Sequence, residues 1–247
     1  MRAGVDVIAS AKGTVIGTRN SVDDVLYTAA NAANVEGKEF GNGLVLRHDD
    51  GWETQYFHMK KGSVQVKTGE DVEAGTILGQ IGLSGRTQFP HVHLSVRKDE
   101  KLVDPFDPDG SVTCDEPDEG TLWNEPLPYS AGAVLYAAFA DNIPAFEDVK
   151  SGRAAVKSLP VDAPAIVAFD FVFGAKKGDQ MRLILEGPTG IMLDKTVLIE
   201  RNPAQLFRAI GRKLPKAGWP VGTISALCLC CVMAKSSAQK RPKFLVE

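Results

Sequence analysis

The sequence predicts a mostly β protein: an antiparallel β-sheet domain over residues 1–107, a linker over 108–128, and a small β-sandwich-like accessory domain over 129–247. Three observations carry this. Short segments of alternating apolar and polar residues recur along the whole chain, bounded by Gly and Asp, the period of half-buried strands. The stretch DPDGSVTCDEPDEGTLWNEPLP is acidic and rich in Pro and Gly, the composition of an extended connector. All four histidines precede it, and none follows it.

In order, VDVIASAKGTVIG reads as two short strands around Lys12-Gly13. Residues 20–39 are polar and Ala/Asn-rich, a loop with room for one helical turn. GNGLVLRHDDGWETQYFHM is a hairpin, with Asp49-Asp50-Gly51 as its turn. In VQVKTGEDVEAGTILGQIG the glycines at 69, 75, 79 and 82 separate short strands. LSGRTQF is a loop, PHVHLSVR the last strong strand, and DPFDPDG a closing turn.

Beyond the linker, AGAVLYAAFA, APAIVAFDFVFGA, DQMRLILEG, GIMLDKTVLIE and GWPVGTISALCLCCV are strands, and AQLFRAIGRKL is a strand or a short helix. The tail CVMAKSSAQKRPKFLVE breaks the rhythm and is expected to fray. Trp123 and Trp219 are expected to pack in cores rather than serve as stacking platforms.

A net charge of −3 on 247 residues leaves no footprint for nucleic acid. The longest apolar run, Ala226 to Ala234, is too short for a membrane span. No signal peptide is expected, since an Asp interrupts the first apolar run. Cys228, Cys230 and Cys231 are too close together for a metal knuckle and fit a buried strand, while Cys114 stands alone, a disulfide partner only if the protein is exported.

The chemistry is concentrated in QFPHVHLSVR. Residues i and i+2 of a strand share a face, so His91 and His93 are expected side by side on one strand. Paired imidazoles suit metal ligation, or one ligand beside one proton-transfer group. His58 ends another predicted strand of the same domain. His48 starts the hairpin turn, where a solvent-exposed role is expected.

These residues resemble the lysostaphin/LytM-type zinc metallopeptidases, the M23 family. The resemblance runs through Tyr56-Phe57-His58, then Gly69, Val72, Gly75, Ile77, Gly79, Gly82 and Gly85, then Pro90-His91-Val92-His93, and covers roughly residues 1 to 107. It implies a LytM/M23-type fold and zinc (Zn2+) as cofactor, with His93 as a metal ligand and His58 and His91 as catalytic groups facing the metal-bound water and the scissile carbonyl. It also implies hydrolysis of peptide bonds in peptidoglycan stems or cross-bridges, and hence a periplasmic or extracellular site for the full-length protein.

The family also carries an upstream His-x-x-x-Asp motif that completes its zinc site, and no histidine precedes His48. Either the motif lies before Met1, in an N-terminally truncated chain, which is the preferred register, or Gly4-Val5-Asp6 ends it and Arg2 takes the histidine position. One clear ligand then stands where three are wanted, so this form is expected to bind zinc poorly and to be inactive unless a longer form exists.

The alternative is a degenerate LytM-type module that binds cell wall or activates other wall hydrolases, although the retained His58, His91 and His93 argue for an enzyme. A biotinyl or lipoyl carrier hairpin is a weaker match, with Lys60 on the wrong side of the turn.

Overall fold

The computed structural model describes residues 3–111, 120–125, 127, 131–219, 222–232, 235–240 and 243–246, with side chains described to residue 226 in the last strands. The chain divides into two compact units, 1–128 and 129–247.

The first unit contains β1 (Asp6–Ile8), β2 (Gly13–Arg19), β3 (Asn42–Arg47), β4 (Trp52–Met59), β5 (Asp71–Val72), β6 (Ile77–Gln80), β7 (His93–Lys98) and β8 (Lys101–Val103). Six of these form one antiparallel sheet in the order β5-β2-β3-β4-β7-β8, and β1 pairs with β6. Alternation works as the sequence suggests. On β4, Thr54, Tyr56 and His58 are buried while Glu53, Gln55 and Phe57 remain partly exposed. Leu44, Leu46 and Tyr56 pack with Val15, Met59 and Leu78 as the core. The predicted hairpin turn is a tight 3-10 turn over Asp49–Gly51, and residues 20–39 hold a short 3-10 segment, Ala29–Asn34.

Two expectations need correction here. His48 is half-buried, not a free surface group: its Nδ1–H donates to the Lys12 carbonyl at 2.6 Å, so its Nε2 accepts from the Thr54 hydroxyl at 2.8 Å. The buried Tyr56 hydroxyl continues this chain to Ser10, pinning the turn before β2 to the hairpin. The second correction concerns His91. Strand β7 begins at His93, so His91 lies in the preceding loop rather than beside His93 on a strand.

The reason lies in β4. Its ladder with β7 ends at the Phe57–His93 pair. The next residue, His58, has φ +60°, left-handed and uncommon for a side chain of this kind. Against β3 the register shifts at the same place, so that β4 carries an extra residue opposite Gly43. This bulge turns β4 away and leaves His91 no strand partner. Pro90, which lacks an amide N–H, suits the break.

The second unit holds β9 (Ala133–Ala140), α1 (Phe146–Ser151), β10 (Ser158–Leu159), β11 (Ala165–Phe173), β12 (Gln180–Gly187), β13 (Gly190–Leu198), β14 (Gln205–Lys213), β15 (Gly222–Val232), β16 (Lys235–Lys240) and β17 (Lys243–Val246). One sheet runs β14-β11-β9, the other β10-β17-β15-β12-β13 with β16 also on β15. Ile166, Val172 and Ile210 from the first share a core with Met181, Leu183 and Ile224 from the second, a sandwich-like arrangement.

AQLFRAIGRKL is a strand, not a helix, paired with β11 in unbroken register. The tail expected to fray supplies β16 and β17. Trp219 is buried, its Nε1–H donating to the Ala163 carbonyl at 2.7 Å, and Trp123 packs against Phe106 with ring centroids 5.5 Å apart. Cys114 lies outside the described residues, as do the side chains of Cys228, Cys230 and Cys231 on β15.

A Cβ on Gly43 would stand 2.0 Å from the Tyr56 carbonyl oxygen, so the bulge requires glycine there. Gly43→Ala should lower stability by about 2 kcal/mol or more, measured by chemical denaturation. Unchanged stability would contradict this packing.

Candidate active site: an imidazole cluster beside a β-bulge

The bulge aims a buried imidazole. His58 is 5% exposed, and its backbone N–H donates to the Phe40 carbonyl at 3.1 Å while its own carbonyl accepts from Gly82 at 2.9 Å. Its Nδ1 lies 2.9 Å from the Ser84 carbonyl oxygen. A carbonyl can only accept, so Nδ1 carries the proton and Nε2 presents its lone pair. Ser84 is fixed in turn, its hydroxyl donating to the Met59 carbonyl at 2.6 Å and accepting from the Asn42 amide at 2.8 Å. Gly85, at φ +82°, permits this close approach: a Cβ there would meet the Gly41 nitrogen at 2.4 Å.

His91 and His93 reach His58 from two sides. The ring centroids of His58 and His91 are 4.9 Å apart, and those of His58 and His93 are 5.8 Å apart. His91 repeats the same device, with Nδ1 2.9 Å from the Phe89 carbonyl and 3.1 Å from the Thr87 hydroxyl. Its Nε2 therefore carries the lone pair as well, without a hydrogen-bond partner among the described residues. His93 is the reverse case. Its Nε2 pairs with the Ser95 hydroxyl at 3.1 Å, leaving Nδ1 without a partner among the described residues. Phe40 and Phe57 wall the cluster, each ring 6.1 Å from that of His93.

Burial sets the charge state. Desolvation pushes the His58 imidazole down to about 4, outweighing the Ser84 hydrogen bond that favours protonation, with His91 and His93 lowering it further. His91 is also lowered, first by burial and then by His93, against the Phe89 carbonyl that raises it. Both rings are neutral at pH 7, each with a lone pair suited to taking a proton.

The three sequence-predicted site residues are thus brought together, although by a bulge and a loop rather than by two flat strands. The sequence reading did not find Ser84, Phe89 and Thr87, which orient the rings; the two carbonyls among them leave no mark in residue type. The zinc expectation meets a shortfall. Among the described residues, no group of three or more His, Cys, Asp or Glu side chains could hold a metal ion. The residues present do not fit a three-ligand protein zinc site, and Arg2 lies outside the described residues.

Residues 1–105 match the sequence model of Peptidase family M23. The first unit is an M23-family domain. The chain is 31% identical over 108 residues to the cell division protein DipM of Caulobacter vibrioides, covering 42% of this chain and 15% of that protein. It is 35% identical over 69 residues to the peptidoglycan DD-endopeptidase ShyB of Vibrio cholerae, covering 28% of this chain and 16% of that one. The chain thus spans about one-sixth of the length of these two relatives. Among solved structures, a zinc containing peptidase from Vibrio cholerae aligns at 28% identity over 41% of this chain and 26% of that one, with a TM-score of 0.32.

The depressed His58 predicts a pH signature for the M23 unit. An unfolded imidazole takes up its proton near 6.5, the folded one only near 4. Between those values the unfolded chain binds more protons, so stability falls as pH drops through that window. Metal-free protein should lose melting temperature from pH 6.5 toward 4, and His58→Gln should flatten part of that slope. Identical slopes for the two proteins would contradict the assignment.

Proposed function

We propose that the M23 unit hydrolyses peptide bonds in the stems or cross-bridges of bacterial peptidoglycan. The reading is carried by one observation: two neutral imidazoles, His58 and His91, lie with ring centroids 4.9 Å apart and anchored Nδ1 atoms, so that both Nε2 atoms remain available. Amide hydrolysis needs a base to take the proton of the attacking water, and a donor for the oxyanion that forms as the carbonyl becomes tetrahedral. One Nε2 serves as the base. Once protonated, it can donate to the oxyanion or deliver its proton to the leaving amine. Rigid anchoring limits the reorganisation that these transfers require.

The family and the relative named as a peptidoglycan DD-endopeptidase support the choice of substrate. They also support a location where that substrate is found, the periplasm or the cell exterior. Zinc, when bound in a peptidase, polarises the carbonyl and acidifies water. The resemblance gives the zinc to His93, whose Nδ1 has no partner among the described residues, and gives His58 and His91 to proton transfer, which leaves one ligand against the usual three. The proton transfers are therefore assigned to the imidazoles alone.

The test is release of peptides from purified peptidoglycan, together with zinc analysis of the dialysed protein. With zinc supplied in excess in the assay, His58→Ala and His91→Ala should each lower the rate by about a hundredfold or more. Dialysed protein should hold substoichiometric zinc. Full activity in both variants would defeat the reading, and tight equimolar zinc would show that further ligands exist beyond those assigned. Retained peptidoglycan binding without any cleavage would instead mark the unit as a binding module.

A further inference from the structure

Next to the imidazole cluster lies a groove of about 280 Å³ over β2, β3 and β4, lined by Gly17, Arg19, Phe40, Gly43, Val45 and Phe57 among others. It adjoins the cluster through Phe40 and Phe57, 4.6 Å apart at their ring centroids, which line the groove and also flank His93. Phe40 is 52% exposed, a large apolar side chain held in water at the mouth of the site. Arg19, at the end of β2, stands at the rim.

Arg19 forms no ion pair among the described residues. Glu39, beside Phe40, feels the charges of Arg19 and Arg86, but its carboxylate is already engaged, accepting the Gly37 amide at 3.1 Å. Its ionised state is held chiefly by backbone hydrogen bonds, its own and that of Gly37, rather than by either guanidinium. Arg86 is occupied differently: it lies over the Tyr27 ring, 5.3 Å from its centroid, and lines a separate pocket. The groove thus combines an exposed aromatic wall with a guanidinium that has planar hydrogen-bonding capacity to spare.

We propose that this groove seats the part of a substrate peptide that bears a free carboxylate, with Arg19 pairing the carboxylate and Phe40 and Phe57 covering the adjoining apolar atoms. The M23 unit would then select peptides with a free carboxylate over their carboxamide forms. The inference rests on the peptidase reading for its ligand class and adds to it a named specificity residue.

Two versions of one peptidoglycan stem peptide, with a side-chain carboxylate free or amidated, give the test. Binding is measured by calorimetry and hydrolysis separately by peptide release. Wild type should bind the free acid about tenfold more tightly, the scale of one charge-assisted hydrogen bond. Arg19→Gln should abolish the difference, Arg19→Lys should keep part of it, and Arg86→Gln should leave it intact. Arg19 is exposed at a strand end, so these variants should fold. Equal affinity for the two peptides in wild type, or a preference that survives Arg19→Gln, would overturn the proposal. Loss of the preference in Arg86→Gln as well would also overturn it, showing a diffuse field rather than a contact. Selective binding without hydrolysis would sink the peptidase reading and leave this one standing; binding of neither peptide would end both.

Discussion

One extra residue in β4 organises the site. Opposite Gly43 the strand takes two positions where its partner takes one, and His58 is held in a left-handed conformation that a free chain would seldom adopt. The strain is over-determined by its surroundings: the Phe40 carbonyl accepts the backbone N–H, Gly82 donates to the carbonyl, and Ser84 accepts from the ring. From this follow the early end of the β4–β7 ladder, the release of His91 into a loop, and the meeting of three imidazoles around one buried ring.

The electrostatic consequence is that proximity and burial act in the same direction. Desolvation lowers both buried rings first, and neighbouring imidazoles lower them further, His91 and His93 acting on His58 and His93 acting on His91. A carbonyl on Nδ1 of each then selects the tautomer. His58 and His91 are therefore built as neutral bases, whereas His93, exposed and paired through Nε2, offers the opposite nitrogen. The same arrangement explains the conflict with zinc. The imidazoles are set for proton transfer, and among the described residues they do not combine with a carboxylate or thiolate into a group of three that could hold a metal ion.

Much of this was legible in the sequence, and the gaps have physical causes. Alternation marked the long strands of both units, because one face of each is buried and the period is two. The glycines between 69 and 85 marked the turns. Whether AQLFRAIGRKL would be helix or strand could not be decided by spacing, since Leu206 and Ile210 suit either; the long pairing with β11 decides it. His91 was placed on a strand because its sequence alternates with its neighbours, but pairing depends on β4, and the bulge there rests on a glycine contact invisible in β4 itself. His48 looked like turn surface, yet its hydrogen bonds run to Lys12 and Thr54, outside its own turn. The tail after residue 232 lacks alternation and still forms strands, because β15 offers it backbone partners whatever its side chains.

The claim that most depends on this geometry is the state of the His58 ring, neutral with its proton on Nδ1. Nitrogen-15 NMR of labelled imidazoles reads both features in one titration, since protonated and lone-pair ring nitrogens resonate far apart. The account predicts that His58 remains in the Nδ1–H form at pH 5.5, when exposed histidines are mostly cationic. A His58 that is already cationic at pH 5.5, or that carries its proton on Nε2, would contradict it.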